Sequence, residues 1–186
     1  MDDITLMTEV LDGNESRLAH LFDRYRRPLY RYFFHFSGLR EPSEDRVQEA
    51  FFWILKHRLS FQPGTPVRPW AYQTARNVHI DYPTRSGTHV ASPDGDEDRT
   101  IYFRSPKKNP EDQLGWKQEI AMLHHTLALL PVEKREVLIL SRFQGMKYEE
   151  IAAVLKCETG AMKARVYRAR RELGNKFFAL RGEKAS

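Results

Sequence analysis

The chain has 186 residues and a formal net charge of +5, enough length for one ordinary domain or two small ones, and a balance that favours a polyanionic partner: nucleic acid, an anionic membrane or an acidic protein. Its single cysteine, Cys157, excludes an internal disulfide and a Cys-rich zinc framework. No apolar run approaches the ~20 residues of a membrane span and the acidic N-terminal stretch has no apolar signal core, so a soluble, cytoplasmic protein without membrane insertion is expected.

Apolar residues recur at helical spacing over 16–82 and again over 111–180. The expected fold is all-α: an N-terminal helical domain (1–82), a flexible linker (83–110) and a C-terminal helical domain (111–186). In the first domain, Leu18, Leu21, Phe22, Tyr25 and Leu29 share one helix face. A second helix is expected from Pro42-Ser43, with Glu44 and Asp45 at the positive end of its dipole. Val47, Ala50, Phe51, Ile54 and Leu55 form its core stripe, and Asp45, Gln48, Glu49 and Phe52 lie on another face. That second face suits docking onto a basic protein, but its spacing alone fits ordinary solvation better.

A third helix is expected from Pro69 to Pro83. Ala71, Thr74, Ala75, Val78 and Tyr82 form its weak buried stripe, while Tyr72, Gln73, Arg76, His79 and Ile80 face away, with Trp70 and Asn77 at the margins. Exposed rings, a cation and amides suit single-stranded DNA, which offers unpaired bases to stack on and edges to read. From the residues alone, a core role for Trp70 explains the pattern better. Residues 83–110 contain four prolines, two glycines and the acidic run Asp94–Asp98. They read as a tether, with a short ordered piece at Thr100–Phe103.

The second domain opens with a helical pattern over Gln113–Leu129. Pro131 starts another helix that runs to about Phe143, and Gly145 stops it. Tyr148–Leu155 is then a short helix, Lys156-Cys157-Glu158 a turn, and Thr159 onward a long final helix. This is the helix-turn-helix pattern. At about 100° per residue, Met162, Val166, Ala169 and Leu173 form a seam facing Tyr148, Ile151, Ala152 and Leu155. The opposite side carries Lys163, Ala164, Tyr167, Arg168 and Arg171, flanked by Arg165 and Arg170. Charged helix faces are usually only solvated. Lys163–Arg171, however, holds five cations and no acid, whereas solvating faces mix signs. A helix of this kind fits the major groove, where long cations reach phosphates or guanine edges. Ala164 allows close approach, and Tyr167 offers a ring to a thymine methyl. His124 and His125 are neighbours on a helix and so diverge by about 100°, which makes them poor joint metal ligands. No metal or other cofactor is expected.

Residues 128–173 resemble the C-terminal DNA-binding domain of extracytoplasmic-function (ECF) sigma factors of the sigma-70 family. The resemblance rests on Leu130-Pro131, Arg135-Glu136-Val137, Tyr148-x-Glu150-Ile151-Ala152 and Lys163-x-Arg165-x-x-Arg168-Ala169-Arg170. It implies that the last helix reads the −35 promoter element. Lys163, Ala164, Tyr167 and Arg168 would contact bases, and Arg165, Arg170 and Arg171 would hold phosphates or secure the helix. Lys156 stands where the family often has glycine, and Lys147 where it often has a capping serine.

Ser43–Phe51 is similar to the family segment that binds the clamp helices of the polymerase β′ subunit, with Arg46 in place of an aliphatic residue. This assigns Asp45, Gln48, Glu49 and Phe52 to polymerase docking. Arg68-x-Trp70-x-Tyr72-x-x-Ala75-Arg76-Asn77 resembles the segment that melts and reads the −10 element, where a flipped non-template base enters a pocket. It implies −10 contacts for Trp70, Tyr72, Arg76, Asn77 and His79, with the loop Phe61–Thr65 lining the pocket. Ala71 and Thr74 replace larger aliphatics, and Pro83 interrupts a helix that the family continues into a basic run. The resemblance further implies a non-enzymatic subunit partnered by core RNA polymerase (β′ clamp helices and β), by promoter DNA as duplex and melted non-template strand, and commonly by an anti-sigma factor.

The alternatives are a helix-turn-helix regulator that binds duplex DNA at paired half-sites without polymerase, and a hydrolase or nuclease. For the last, the sequence offers no phosphate-binding glycine loop, HExxH or nucleophile elbow.

Overall fold

The structure, a computed structural model, describes residues 1–81 and 110–182, and of residues 79–81, 110–114, 116 and 117 the backbone alone. All regular structure among the described residues is helical. Eight α-helices follow in order: α1 Asp3–Leu11, α2 Leu18–Ser37, α3 Arg40–Lys56, α4 Val67–Asp81, α5 Pro110–Ala128, α6 Val132–Leu138, α7 Tyr148–Leu155 and α8 Met162–Arg181. Pro83, the acidic run and the Thr100–Phe103 piece lie outside the described residues.

Helix α1 was not anticipated. Asp2 caps it, its Oδ1 accepting the Thr5 N–H at 2.7 Å, and Leu6, Met7 and Val10 sink into the core. Asp3 ties it to α2 by accepting from Arg24 at 2.5 Å and from the Tyr25 hydroxyl at 2.6 Å. Helix α2 ends at Gly38, whose positive φ of 68° lets its N–H reach Phe34 O at 2.7 Å, a termination glycine makes without strain. Helix α3 starts at Arg40, so Pro42 sits in its first turn rather than at its entry. The buried Ser43 hydroxyl donates to Leu39 O at 2.6 Å and lies 3.0 Å from the Ser37 hydroxyl, which pins the α2–α3 corner.

In the C-terminal half, Pro131 is the cap of α6 and not its first residue. Beyond Leu138 the helix widens into a π turn over Ile139–Phe143, closed by the Gln144 N–H donating to Ile139 O at 2.9 Å. Single π turns inside α-helices are rare and frequently lie at functional sites. Gln144, the residue after this one, meets the N-terminal module.

The modules share an apolar core. Leu29, Tyr32 and Phe33 of α2, Tyr72 and Ala75 of α4, Ile139 and Leu140 of the π turn and Ile151 and Val154 of α7 belong to one buried cluster. A smaller cluster of Leu127, Leu130, Leu138 and Ala169 holds α5, α6 and α8 together. Helix α7 lies against both α4 and α8.

Candidate nucleic-acid interface

Helix α7, the turn after it and α8 form the helix-turn-helix. The turn reverses at Lys156, which takes a left-handed conformation (φ 52°, ψ 51°) and is the one described non-glycine residue with positive φ. Here the sequence places a lysine where a glycine would carry no Cβ strain. At the start of α7 the Glu150 carboxylate accepts the Lys147 N–H at 2.8 Å. This is the Glu half of a capping box, and it compensates for the absent serine.

Met162, Val166 and Ala169 of α8 are buried, as are Ile151 and Ala152 of α7. Tyr148, expected in that seam, is 38% exposed, and Val154 is fully buried instead. Because α7 touches two helices, its buried arc is wider than one seam and takes in Val154. Lys163, Ala164, Arg165, Tyr167, Arg168, Arg170 and Arg171 are all exposed, Tyr167 by 55%. Arg170 lies over the Tyr167 ring, 6.0 Å from its centre. The first acid on α8, Glu172, is engaged by Lys134 of α6. The outward face is therefore cationic, small at Ala164 and free of competing carboxylates, which suits duplex DNA.

On α3, Val47, Ala50, Phe51 and Ile54 face the core. Asp45 and Gln48 are exposed, Glu49 is half-buried, and Phe52 projects with 60% of its surface exposed. The exposed Phe52 ring thus lies beside two carboxylates and an amide on one face of α3.

Helix α4 differs from expectation. Ala71, Ala75 and Val78 are buried as predicted, and Asn77 is exposed. Tyr72, predicted to face outward, is 0% exposed, because the C-terminal module packs on that face. Its hydroxyl donates to Gln144 Oε1 at 2.7 Å, its ring meets Tyr32 edge-on with centres 5.5 Å apart, and burial pushes its phenol up from the ordinary tyrosine range. Arg76 is half-buried and pairs through Nε with Glu136 of α6 at 3.1 Å. Arg68 donates to Gln144 O and approaches Glu150 at 3.8 Å. Trp70 is half-buried, edge-on to Phe61 at 5.3 Å. For His79 only the helical backbone is described.

Before α4, Phe61 is buried while Gln62, Pro63 and Gly64 are exposed. Thr65 closes this loop with both its N–H and hydroxyl donating to Gln62 O, at 3.1 and 2.7 Å. His124 turns inward onto His35, and His125 is exposed. No cluster among the described residues groups three metal-ligating side chains, and no described helix is long and apolar enough to cross a membrane.

Residues 21–88 match the family Sigma-70 region 2, and residues 120–173 match Sigma-70, region 4. The ECF RNA polymerase sigma-E factor of Escherichia coli K12 is 31% identical over 137 residues, covering 71% of this chain and 72% of that protein. The chain belongs to the ECF sigma factors of the sigma-70 family. A second relative, the ECF sigma factor SigE of Mycolicibacterium smegmatis, is 31% identical over 173 residues, covering 89% of this sigma factor and 65% of that one. The solved structure of CnrH in complex with the cytosolic domain of CnrY superimposes with a TM-score of 0.70 at 25% identity, covering 95% of this chain and 97% of that one. RpoE of Bartonella quintana, solved with the anti-sigma factor NepR, shares the fold with a TM-score of 0.63 at 21% identity. As a family member, the protein is an alternative sigma factor that binds core RNA polymerase and directs transcription initiation at specific promoters. Sigma factors are initiation factors and not enzymes.

Region 2 thus takes in α2 from Leu21, α3 and α4, and region 4 the end of α5, α6, α7 and α8 as far as Leu173. In the sequence Glu136 stands out only within the motif Arg135-Glu136-Val137 and Gln144 not at all, and neither is expected to join the two regions. The available signal was in α2: every residue of Tyr32–Phe36 is buried, and a helix apolar around its circumference is packed on more than one side.

Proposed function

We propose that three faces divide the work of promoter recognition. Helix α8 reads the −35 duplex, with Lys163, Ala164, Tyr167 and Arg168 at base edges and Arg165, Arg170 and Arg171 on phosphates. Helix α4 and the loop before it hold the melted −10 strand through Trp70, Tyr72, Arg76, Asn77 and His79. The face Asp45, Gln48, Glu49 and Phe52 of α3 docks on the β′ clamp helices. The domains are 1–82 and 111–186, joined by the linker 83–110, and the protein acts in the cytoplasm. The solved complex of the sigma factor RpoE with the anti-sigma factor NepR supports an anti-sigma partner for this chain as well.

The observation that carries this reading is the α8 face, where exposed cations surround a small residue and a ring while the nearest acid is neutralised from behind. The test is transcription in vitro with core polymerase on genomic DNA, followed by start-site mapping. Arg168→Ala should depress initiation most at starts with the consensus −35 sequence, Asn77→Ala should impair strand opening, and Phe52→Ala should weaken core binding. Loss of none of the three activities would refute the assignment.

A further inference from the structure

The segment between α3 and α4 holds an apolar side chain out in solvent. Leu59 is 80% exposed, more than any other large apolar residue described. It sits in one turn of 3-10 helix, Arg58–Ser60, and that turn is firmly held. The Ser60 N–H and hydroxyl both donate to His57 O at 2.8 Å, and the Phe61 N–H donates to Arg58 O at 3.0 Å. Phe61 itself is buried against Trp70. The Arg58 guanidinium braces the turn from two sides: it donates to Leu55 O of α3 at 3.0 Å and pairs with Glu15, ahead of α2, at 3.2 Å. Leu59 is thus displayed by a fixed backbone, and folding buries almost none of it.

The charge around Leu59 points to its partner. The docking face of α3 is acidic, through Asp45 and Glu49. Between Glu49 and Asp81 the chain has no Asp or Glu, but it has Lys56, Arg58, Arg68 and Arg76. Arg58 is engaged by Glu15, and Lys56 is exposed, its Nζ 4.7 Å from the centre of the Trp53 ring. A polymerase surface complementary to the acids of α3 is basic and would meet cations here. A polyanion whose unpaired bases offer apolar faces suits a leucine among cations better.

We propose that Leu59 is a wedge for the melted strand: its side chain lies against an unpaired base next to the one held by the loop Phe61–Thr65, and Glu15, acting through Arg58, positions it. This rests on the −10 reading of α4 and its loop given above. Apolar side chains of this kind enter the gap between bases and keep them unstacked. Leucine offers no hydrogen-bonding group, so the contact favours opening without choosing among bases.

The test uses the full-length chain with core polymerase on a promoter obtained by start-site mapping. The fluorescent base 2-aminopurine is placed in turn at each non-template position through and just beyond the −10 element. Leu59→Ala should reduce the fluorescence rise on opening severalfold at a position next to the captured base, and Leu59→Met should retain it. Both variants should melt within about 1 °C of the parent and bind core polymerase without DNA as the parent does. Glu15→Ala should give the same local loss, and combining it with Leu59→Ala should lower the signal no further, whereas a purely structural role for Glu15 would add a loss of its own. Unchanged opening at every position in Leu59→Ala would overturn the proposal. So would weakened binding of that variant to core polymerase without DNA, which would make Leu59 part of the docking face. Asn77→Ala separates the two readings: if it impairs opening and Leu59→Ala does not, the wedge alone fails, and if neither does, the −10 assignment fails with it.

Discussion

His35 of α2 and His124 of α5 stack ring on ring, their centres 5.2 Å apart and their planes 16° from parallel, at the junction of regions 2 and 4. Phe143 of the π turn lies 4.0 Å from the His35 ring, and Phe34 meets His124 edge-on. Burial, then the charges of His124 and Arg31, holds His35 well below the usual histidine range.

Acid should therefore weaken the fold through His35. A histidine that protonates more readily unfolded than folded contributes stability that is complete above its unfolded pKa, about 6.5, and is lost as pH falls from there toward the folded value. Thermal unfolding between pH 8 and 5 should show a falling midpoint below about pH 6.5. His35→Phe, similar in shape but without a proton site, should flatten that fall relative to the parent. An equal slope in both would assign the acid sensitivity to other groups.

The turn at Lys156 predicts a stabilising substitution. A left-handed non-glycine residue is strained by roughly 1–2 kcal/mol, part of which glycine returns as backbone entropy in the unfolded chain. Lys156→Gly should raise stability by about 0.5–1 kcal/mol, or roughly 1–4 °C in a domain-sized protein. Calorimetry checks this, and Lys156→Ala, which keeps the Cβ, should show no gain.

Positions on α8 should separate by kind of contact. Arg168→Ala, at a proposed base contact, should cost about 1–3 kcal/mol at the −35 site and relax sequence preference there. Arg171→Ala, at a proposed phosphate contact, should weaken binding to all sequences alike and lower the salt dependence by about one ion. Titrations of the sigma–polymerase complex on promoter DNA at several salt concentrations distinguish these outcomes.

Phe52→Ala should leave the melting temperature within about 1 °C of the parent, because the ring is 60% exposed and surface changes rarely exceed ±0.5 kcal/mol. The same change should reduce core polymerase affinity by about tenfold or more, as expected for an aromatic anchor at an interface. A fall in stability with unchanged affinity would make Phe52 a packing residue instead.

Local periodicity made most of the helices legible. The buried stripes of α2, α3 and α8 and the boundaries of α7 follow from spacing and from Gly145. Helix α1 was overlooked because its stripe Leu6, Met7 and Val10 is short and sits in an acidic stretch, although Asp2 is a recognisable cap. The exposed face of α8 was legible because its five cations lack an interleaved acid. Tyr72 was misplaced for a different reason. A helical wheel separates buried from exposed positions for a helix covered on one side, and α4 is covered on two: by its own module and by region 4. No pattern within α4 encodes the second cover, which comes from Glu136 and Gln144 some sixty to seventy positions away.

The most direct test of the account is association of the purified full-length chain with core RNA polymerase, measured by fluorescence anisotropy at moderate salt with and without duplex promoter DNA. The account predicts saturable binding to core enzyme in the absence of DNA, and sequence-specific initiation by the resulting complex. Tight, specific duplex binding by the chain alone, with no measurable affinity for core enzyme, would contradict it.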